Sequence, residues 1–319
     1  MDTALIIELT LYTIGGLLYA VFFYFFAAAI ATYCVYTATL VRGSKKKWAR
    51  GTSAPEPERQ QMDAEGLEWQ RPHADKKQDV HIVNAGLNLY GEYYDFGSDK
   101  CVIVLSGRTE NLQYGYYFAK PYYECGFNVL VIDPRAHGLS DGKYNTIGFE
   151  EHKDALAWAR YLHDEHGVQT IVFHGICIGS AGGMYALTSP DCPAYIKGMA
   201  GEGMFINFGE SMKRHLIEQE KDRFPVMQFL NAWMYLFTRH TMKTGPINYI
   251  EKMPADKKLL MLHSKKDQYS DYQNAQKLFA LCPCTDKTFE TFEEGGHSML
   301  RYVAREKYDN AVRAFAAKF

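Results

Sequence analysis

Thr170-Ile171-Val172-Phe173-His174-Gly175-Ile176-Cys177-Ile178-Gly179-Ser180-Ala181-Gly182-Gly183 contains the pattern that decides the fold. Thr170 to Phe173 is a short apolar run of strand-forming residues, and the residues from Gly182 to Leu187 continue as a helix. Between them, Gly175 and Gly179 each lie two positions from Cys177. A strand that turns directly into a helix leaves its central residue in a strained conformation. Side chains two positions to either side would collide, which favours glycine there. The turn projects the Cys177 side chain into open space at a helix N-terminus, where the helix dipole favours an anion. Ser180 does not fit the same frame, because its corresponding neighbours are Ile178 and Gly182.

The pattern repeats on both sides of this turn. Val80–Asn84 and Leu89–Tyr94 read as two strands joined at Gly86, and Cys101–Leu105 and Asn128–Ile132 as short buried strands. Further strands are expected at Tyr195–Ala200, Leu259–Leu262 and Thr288–Phe292. Helical spacing appears at Tyr114–Glu124, Glu150–His166, Tyr272–Leu281 and Leu300–Phe319. Short apolar runs alternating with amphipathic helices imply an α/β fold, a mostly parallel sheet with helices on both faces. In such sheets functional groups collect in the loops at the carboxyl ends of strands.

Those loops supply partners for Cys177. A thiol nucleophile benefits from a base held by a third group. Asp267 follows the strand at Leu259–Leu262, with Asp271 a nearby substitute, and His297 follows the strand at Thr288–Phe292. Their chain order is nucleophile, acid, histidine. The backbone N–H groups of Ile178 and Arg108 are the candidate oxyanion donors, with Gly107 allowing close approach. His137, His174 and His263 read as structural.

The first 41 residues differ in kind. Ala4 to Val41 is almost continuously apolar, with Glu8 its only charge, and one membrane span is expected at about 17–41. The acidic N-terminus and long apolar core argue against a cleaved signal peptide. Arg42, Lys45, Lys46, Lys47 and Arg50 follow immediately and favour a cytoplasmic domain. Residues 42–77 read as a basic and polar linker, and 78–319 as the α/β domain. A net charge of −2 gives no footprint for nucleic acid. Seven irregularly spaced cysteines do not read as a disulfide framework, and Cys282-Pro283-Cys284 lacks a second ligand pair for zinc. No cofactor or metal is expected. The expected partners are a small-molecule or lipid-like acyl substrate and the membrane.

Several segments together resemble the α/β-hydrolase superfamily over roughly 78–319, and its membrane-anchored, serine-hydrolase-like branch in particular. Leu105-Ser106-Gly107-Arg108-Thr109-Glu110-Asn111 looks like the family's His-Gly loop with Ser106 for His. The stretch from Asn128 to Gly142 resembles its D-x-R-G-H-G-x-S segment, with Ala136 for Gly. The loops around Asp267 and His297 resemble its acid and histidine loops. Cys177 departs from the usual serine, as in the dienelactone hydrolases and polyhydroxyalkanoate synthases. The resemblance implies a small helical cap at about 204–253, rich in Met, Phe, Trp and Tyr, which either lines an apolar acyl pocket or packs the cap on the core. It also implies an ester or thioester hydrolase acting through Cys177, His297 and Asp267. The alternatives are an acyltransferase using the same cysteine and a non-catalytic membrane scaffold.

Overall fold

Eight strands form one sheet in the computed structural model, which describes residues 2–51, 55–220 and 224–319. They are β1 (Lys77–Asn84), β2 (Leu87–Tyr94), β3 (Lys100–Leu105), β4 (Asn128–Ile132), β5 (Thr170–Ile176), β6 (Ile196–Glu202), β7 (Lys258–Ser264) and β8 (Asp286–Phe292). Their spatial order is β1-β2-β4-β3-β5-β6-β7-β8. β2 pairs antiparallel with both β1 and β4, and every pair from β4 to β8 is parallel. The β1–β2 turn places Ala85 and Gly86 at φ 48° and 77°, the two positive values a tight hairpin turn requires. β4 is buried throughout, as expected of a strand covered on both faces.

The helices divide between those faces. α3 (Leu112–Tyr123) and α10 (Arg305–Ala316) cover one, where Phe118, Tyr122, Tyr308 and Val312 pack on Val102 and Val104. α4 (Glu151–His166), α5 (Ile178–Leu187) and α8 (Tyr272–Leu281) cover the other, with Trp158, Leu162, Ala181 and Leu278 against Ile103, Ile171 and Met261. The final helical stretch, expected to be continuous from Leu300, breaks at Ala304. There φ −138° and ψ 58° separate α9 (Leu300–Val303) from α10.

α1 (Thr3–Leu40) is a single helix, capped by Asp2, and it runs through Gly15-Gly16 without a break. By length and composition it can cross a membrane. Residues 3–27 are exposed almost all round, whereas Thr32, Tyr36 and Leu40 are buried against the domain. The Lys47 ammonium donates to the carbonyls of Thr37, Ala38 and Val41 at 2.8, 2.7 and 2.6 Å. A cation thereby satisfies the open C-terminal carbonyls of the helix.

The segment 42–77 is not the linker expected; its residues 52–54 lie outside the described residues. α2 (Pro57–Gln70) packs along α3 and buries Met62 and Trp69. Gly66 permits the close crossing, since a Cβ there would stand 3.0 Å from the Tyr117 backbone nitrogen. Arg50 reaches 83 residues ahead to the buried Asp133 and also pairs with the buried Glu92. Abundant charge in this stretch hid its few core positions.

α6 (Phe208–Glu218) and α7 (Val226–Thr238) occupy the expected cap stretch between β6 and β7; residues 221–223 lie outside the described residues. α7 runs beside α1 in the same direction. Phe25 meets Phe229, Tyr33 meets Trp233, and Tyr36 stacks on Phe237. The Trp233 indole N–H donates to the Ala29 carbonyl at 3.2 Å.

Candidate active site

The turn after β5 has the strained form that its sequence implies. Cys177 sits at φ 53° and ψ −110°, a backbone region unusual for a non-glycine residue. A Cβ on Gly175 would come within 2.6 Å of Gly179 and Ser180 backbone atoms, and one on Gly179 would overlap the Leu105 carbonyl. Both glycines are therefore required by close backbone approach. The Cys177 N–H donates to the Glu202 carbonyl at 2.9 Å, which ties the turn to the end of β6. Ser180 is fully buried, and its hydroxyl contacts the carbonyls of Gly175 and Glu202 at 2.7 and 2.8 Å. It braces the turn rather than facing the crevice.

Asp267 and His297 meet in front of this turn. His297 Nδ1 lies 2.8 Å from Asp267 Oδ2, and the other carboxylate oxygen accepts the N–H groups of Tyr269 and Ser270 at 2.9 and 2.7 Å. Burial alone pushes the Asp267 carboxyl up, but the charge and hydrogen bond of His297 outweigh it and leave the group below the usual carboxylate range. Burial likewise pulls His297 down. Asp267 and Cys177 outweigh it, by charge and by hydrogen bonding, and hold the imidazole well above its ordinary range. Asp271, the alternative acid, instead caps α8 through the Asn274 N–H and pairs with Arg214.

The oxyanion candidates flank the thiol. Ile178 is the first residue of α5, so its N–H has no partner within the helix. Arg108 lines the same cavity as Cys177. Its carbonyl is contacted by His137 Nε2 at 2.8 Å and by the Asn145 amide at 3.3 Å, and its guanidinium donates to the Thr39 carbonyl of α1 at 3.3 Å. His137 in turn stacks on Trp48, with ring centroids 4.3 Å apart. The loop is thus fixed from both sides.

The histidines read as structural are placed as such. His174 is fully buried between Tyr122 and Tyr308, at 3.0 and 3.1 Å, and burial pulls its pKa to about 3. His263 contacts the Ser270 carbonyl at 2.8 Å.

Two neighbours escaped the sequence reading. Gly203, at φ 61°, passes so close to the pair that a Cβ would stand 3.1 Å from His297 Cε1 and 3.5 Å from Asp267 Oδ2. Glu202 is buried and accepts the Leu300 N–H at 3.1 Å and the Tyr308 hydroxyl at 2.9 Å, which fixes the segment after His297. The glycine-glutamate-glycine string Gly201-Glu202-Gly203 at the end of an expected strand was the available signal.

A cavity of about 710 Å³ opens over Cys177 and His297. Phe208 and Met212 of α6 give it an apolar wall, while Arg59, Asp63, Arg108 and Glu110 make the rest polar. The expected acyl pocket is therefore only partly apolar. The cap aromatics Phe229, Trp233 and Phe237 contact α1 instead. The cap reading divides, with α6 lining the cavity and α7 packing. Among the described residues, no group of three or more His, Cys, Asp or Glu side chains is arranged to hold a metal ion.

The strand order, the turn after β5 and the loops after β7 and β8 define an α/β-hydrolase fold. A family model described as the alpha/beta hydrolase fold matches residues 100–233. The uncharacterized protein YqkD of Bacillus subtilis (strain 168) is 24% identical over 220 residues, which cover 67% of this chain and 70% of that one. Among solved structures, the Pyrococcus furiosus esterase Pf2001 superposes with a TM-score of 0.66 at 22% identity, covering 78% of this chain and 94% of its own. An esterase from Exiguobacterium antarcticum superposes with a TM-score of 0.55 at 18% identity, covering 75% and 98%. At these identities the structural likeness shows a shared fold.

Proposed function

We propose that the chain is a membrane-anchored hydrolase of carboxylic esters or thioesters, with Cys177 as nucleophile, His297 as base and Asp267 as its orienting acid. The observation that carries this reading is the Asp267–His297 pair at 2.8 Å, with the imidazole held basic between that carboxylate and Cys177. In this reading α1, which is long and apolar enough to cross a membrane, serves as the anchor, and the basic residues after it favour a cytoplasmic domain.

In the first half-reaction His297 takes the Cys177 thiol proton and becomes imidazolium, the sulfur attacks the substrate carbonyl carbon, and the carbonyl π electrons move to oxygen. The N–H groups of Ile178 and Arg108 hold the resulting oxyanion. Collapse breaks the bond to the leaving alcohol or thiol, which takes a proton from the His297 imidazolium. Water then attacks the acyl-thioenzyme, giving its proton to His297, and the acid departs as the sulfur regains its electron pair. Asp267 orients the ring throughout and stabilises its cationic form.

The wall formed by Phe208 and Met212 suits an acyl chain, and the polar wall around Arg59 suits a polar leaving group. The full chain in detergent is assayed on short acyl esters and acyl thioesters, beside Cys177→Ala and His297→Ala. Both variants are expected to lose turnover by about 10³-fold or more. Equal turnover in all three proteins would refute the triad. Product analysis with an added alcohol or amine acceptor separates hydrolysis from acyl transfer.

A further inference from the structure

α1 is longer than a membrane requires. Its 38 residues extend about 57 Å at about 1.5 Å per residue, against a hydrocarbon core of about 30 Å. Which part crosses is decided by what the helix touches. Residues 3–27 are exposed almost all round, as a segment solvated by lipid would be. From Ala28 onward one face is packed on α7 and the hydrolase domain. The last turn also carries fixed cations: Lys47 donates to the carbonyls of Thr37, Ala38 and Val41, and Arg108 to that of Thr39. A span ending at Val41 would draw both cations and the domain surface around Tyr144 into hydrocarbon, at a large desolvation penalty.

We infer that the crossing segment is close to Leu9–Ala28, and that α7 lies in the cytoplasmic headgroup zone of the bilayer as a second membrane contact. The inference rests on the anchor reading above. Roughly 20 residues from Leu9 fill the hydrocarbon core and leave Glu8 at the outer boundary. The inner boundary then falls where Phe25 meets Phe229 and Tyr33 meets Trp233. Aromatic rings concentrate at such boundaries because they are apolar in body and polar at the edge.

α7 has the chemistry of an interfacial helix. It is uncharged from Val226 to Thr238, with Arg239 just beyond. Only Leu230 and Met234 are fully buried, while Tyr235, Leu236 and Phe237 are exposed. This exposed face is continuous with the lipid-facing surface of α1. The same face of a soluble domain would be an apolar patch open to water. The bilayer covers it without a protein partner.

One consequence concerns the active site. Thr39 of α1 lines the catalytic cavity, about 16 Å beyond Ala28 along the helix. The reacting carbonyl is therefore held outside the bilayer, and a lipid-like substrate must lift its head from the membrane to reach Cys177.

The test reconstitutes the full chain in phosphatidylcholine vesicles carrying bromine either near the carbonyl end or near the methyl end of the acyl chains. Trp48, Trp69 and Trp158 are buried in the domain and give an unquenched background, and Trp233→Phe defines the α7 contribution. Trp233 is expected to lose more emission to the shallow bromines than to the deep ones. Tyr235→Asp/Leu236→Asp is expected to weaken that quenching while the thermal midpoint of these exposed-site variants stays unchanged. Stronger quenching by the deep bromines would put Trp233 near the midplane and overturn the register. No quenching in a chain that resists alkaline extraction would overturn the α7 contact and leave the anchor reading standing, with cross-linked dimers pointing to a second copy on this face. A chain that does not enter vesicles would overturn the anchor reading and this inference together.

Discussion

Removing the N-terminal residues in steps tests whether they are a tether or part of the domain. Three chains are compared, beginning at residues 28, 41 and 78. The first removes only the part of α1 that is exposed all round. The third also removes Arg50 and α2. Met62 and Trp69 lose burial worth about 1.5–3 kcal/mol each, or roughly 3–6 kcal/mol together. Deleting Arg50 leaves Asp133 and Glu92, both nearly fully buried, without their cation. Breaking such a pair costs about 3–5 kcal/mol. The combined loss, roughly 6–11 kcal/mol, is comparable with the whole stability of a typical domain, about 5–15 kcal/mol. The chain from residue 78 is therefore expected to be insoluble or to show no cooperative melt, while the chain from residue 28 unfolds cooperatively. The chain from residue 41 loses Tyr36, two of the three carbonyls that hold Lys47 and the one that holds Arg108, and is expected to fall between them. The assay is thermal unfolding followed by circular dichroism, with ester turnover on each soluble chain. Cooperative melting of the chain from residue 78 within about 5 °C of the chain from residue 28, a shift of about 2 kcal/mol, would refute the argument.

Other perturbations separate the roles assigned above. Gly203→Ala places a methyl group 3.1 Å from His297 Cε1 at a positive φ, so the ring must shift. Ester kcat/KM is expected to fall on the order of 10–100-fold with a stability loss of only about 1–2 kcal/mol; turnover within about twofold of the parent would show that the ring position is not critical. Ser180→Ala removes the hydroxyl that braces Gly175 and Glu202, and is expected to lower stability by about 1–3 kcal/mol while iodoacetamide still labels Cys177; loss of labelling in a folded variant would contradict the assignment. Burial depresses the pKa of His137, His174 and His263, so below about pH 6.5 the unfolded chain binds protons that the folded chain does not, and stability falls as pH falls. His297 has a raised folded pKa and acts in the opposite sense: its contribution is complete below about pH 6.5 and is lost as pH rises through the folded value. Urea unfolding of His174→Gln, measured from pH 7 to pH 5, isolates one histidine. The slope is expected to decrease by up to about 1.4 kcal/mol per pH unit, and an unchanged slope would mean that His174 is not held neutral.

The legible part of this chain was the part fixed by short-range sterics. The two glycines around Cys177 announce a turn because no other residue fits so near the Leu105 carbonyl and the Ser180 backbone. Buried strands such as Asn128–Ile132 announce themselves because both their faces are apolar. Asp267 was found because it follows the buried strand β7 and His297 because it follows the edge strand β8, although only the folded chain brings them to 2.8 Å. What was not legible depends on contacts distant in sequence. Nothing near Arg50 signals that its partner is Asp133, and nothing near Gly203 signals that His297 will lie against it. α2 was hidden by composition, since its exposed faces are charged and only Met62, Gly66 and Trp69 are buried. The apolar pattern of α1 shows that the helix can span a membrane. It cannot show which third of the helix is covered by protein.

The basic residues after α1 illustrate how one set of side chains can act twice. On the proposed anchor reading they would be unpaired during insertion, and their charge would favour the cytoplasmic side. In the folded protein three of them have internal partners. Arg42 donates to the carbonyls of Ser140 and Gly138, Lys47 closes the end of α1, and Arg50 pairs with Asp133 and Glu92. Only Lys45 and Lys46 remain fully exposed. The same short segment carries Trp48, which stacks on His137; His137 contacts the Arg108 carbonyl, and the Arg108 guanidinium returns to the Thr39 carbonyl of α1. These contacts form a closed circuit between the end of the anchor and a proposed oxyanion donor. A change in the tilt of α1 therefore cannot be absorbed by a flexible joint. It must move the Arg108 loop or break one of these contacts, so that on the proposed anchor reading the membrane would bear on the site's geometry.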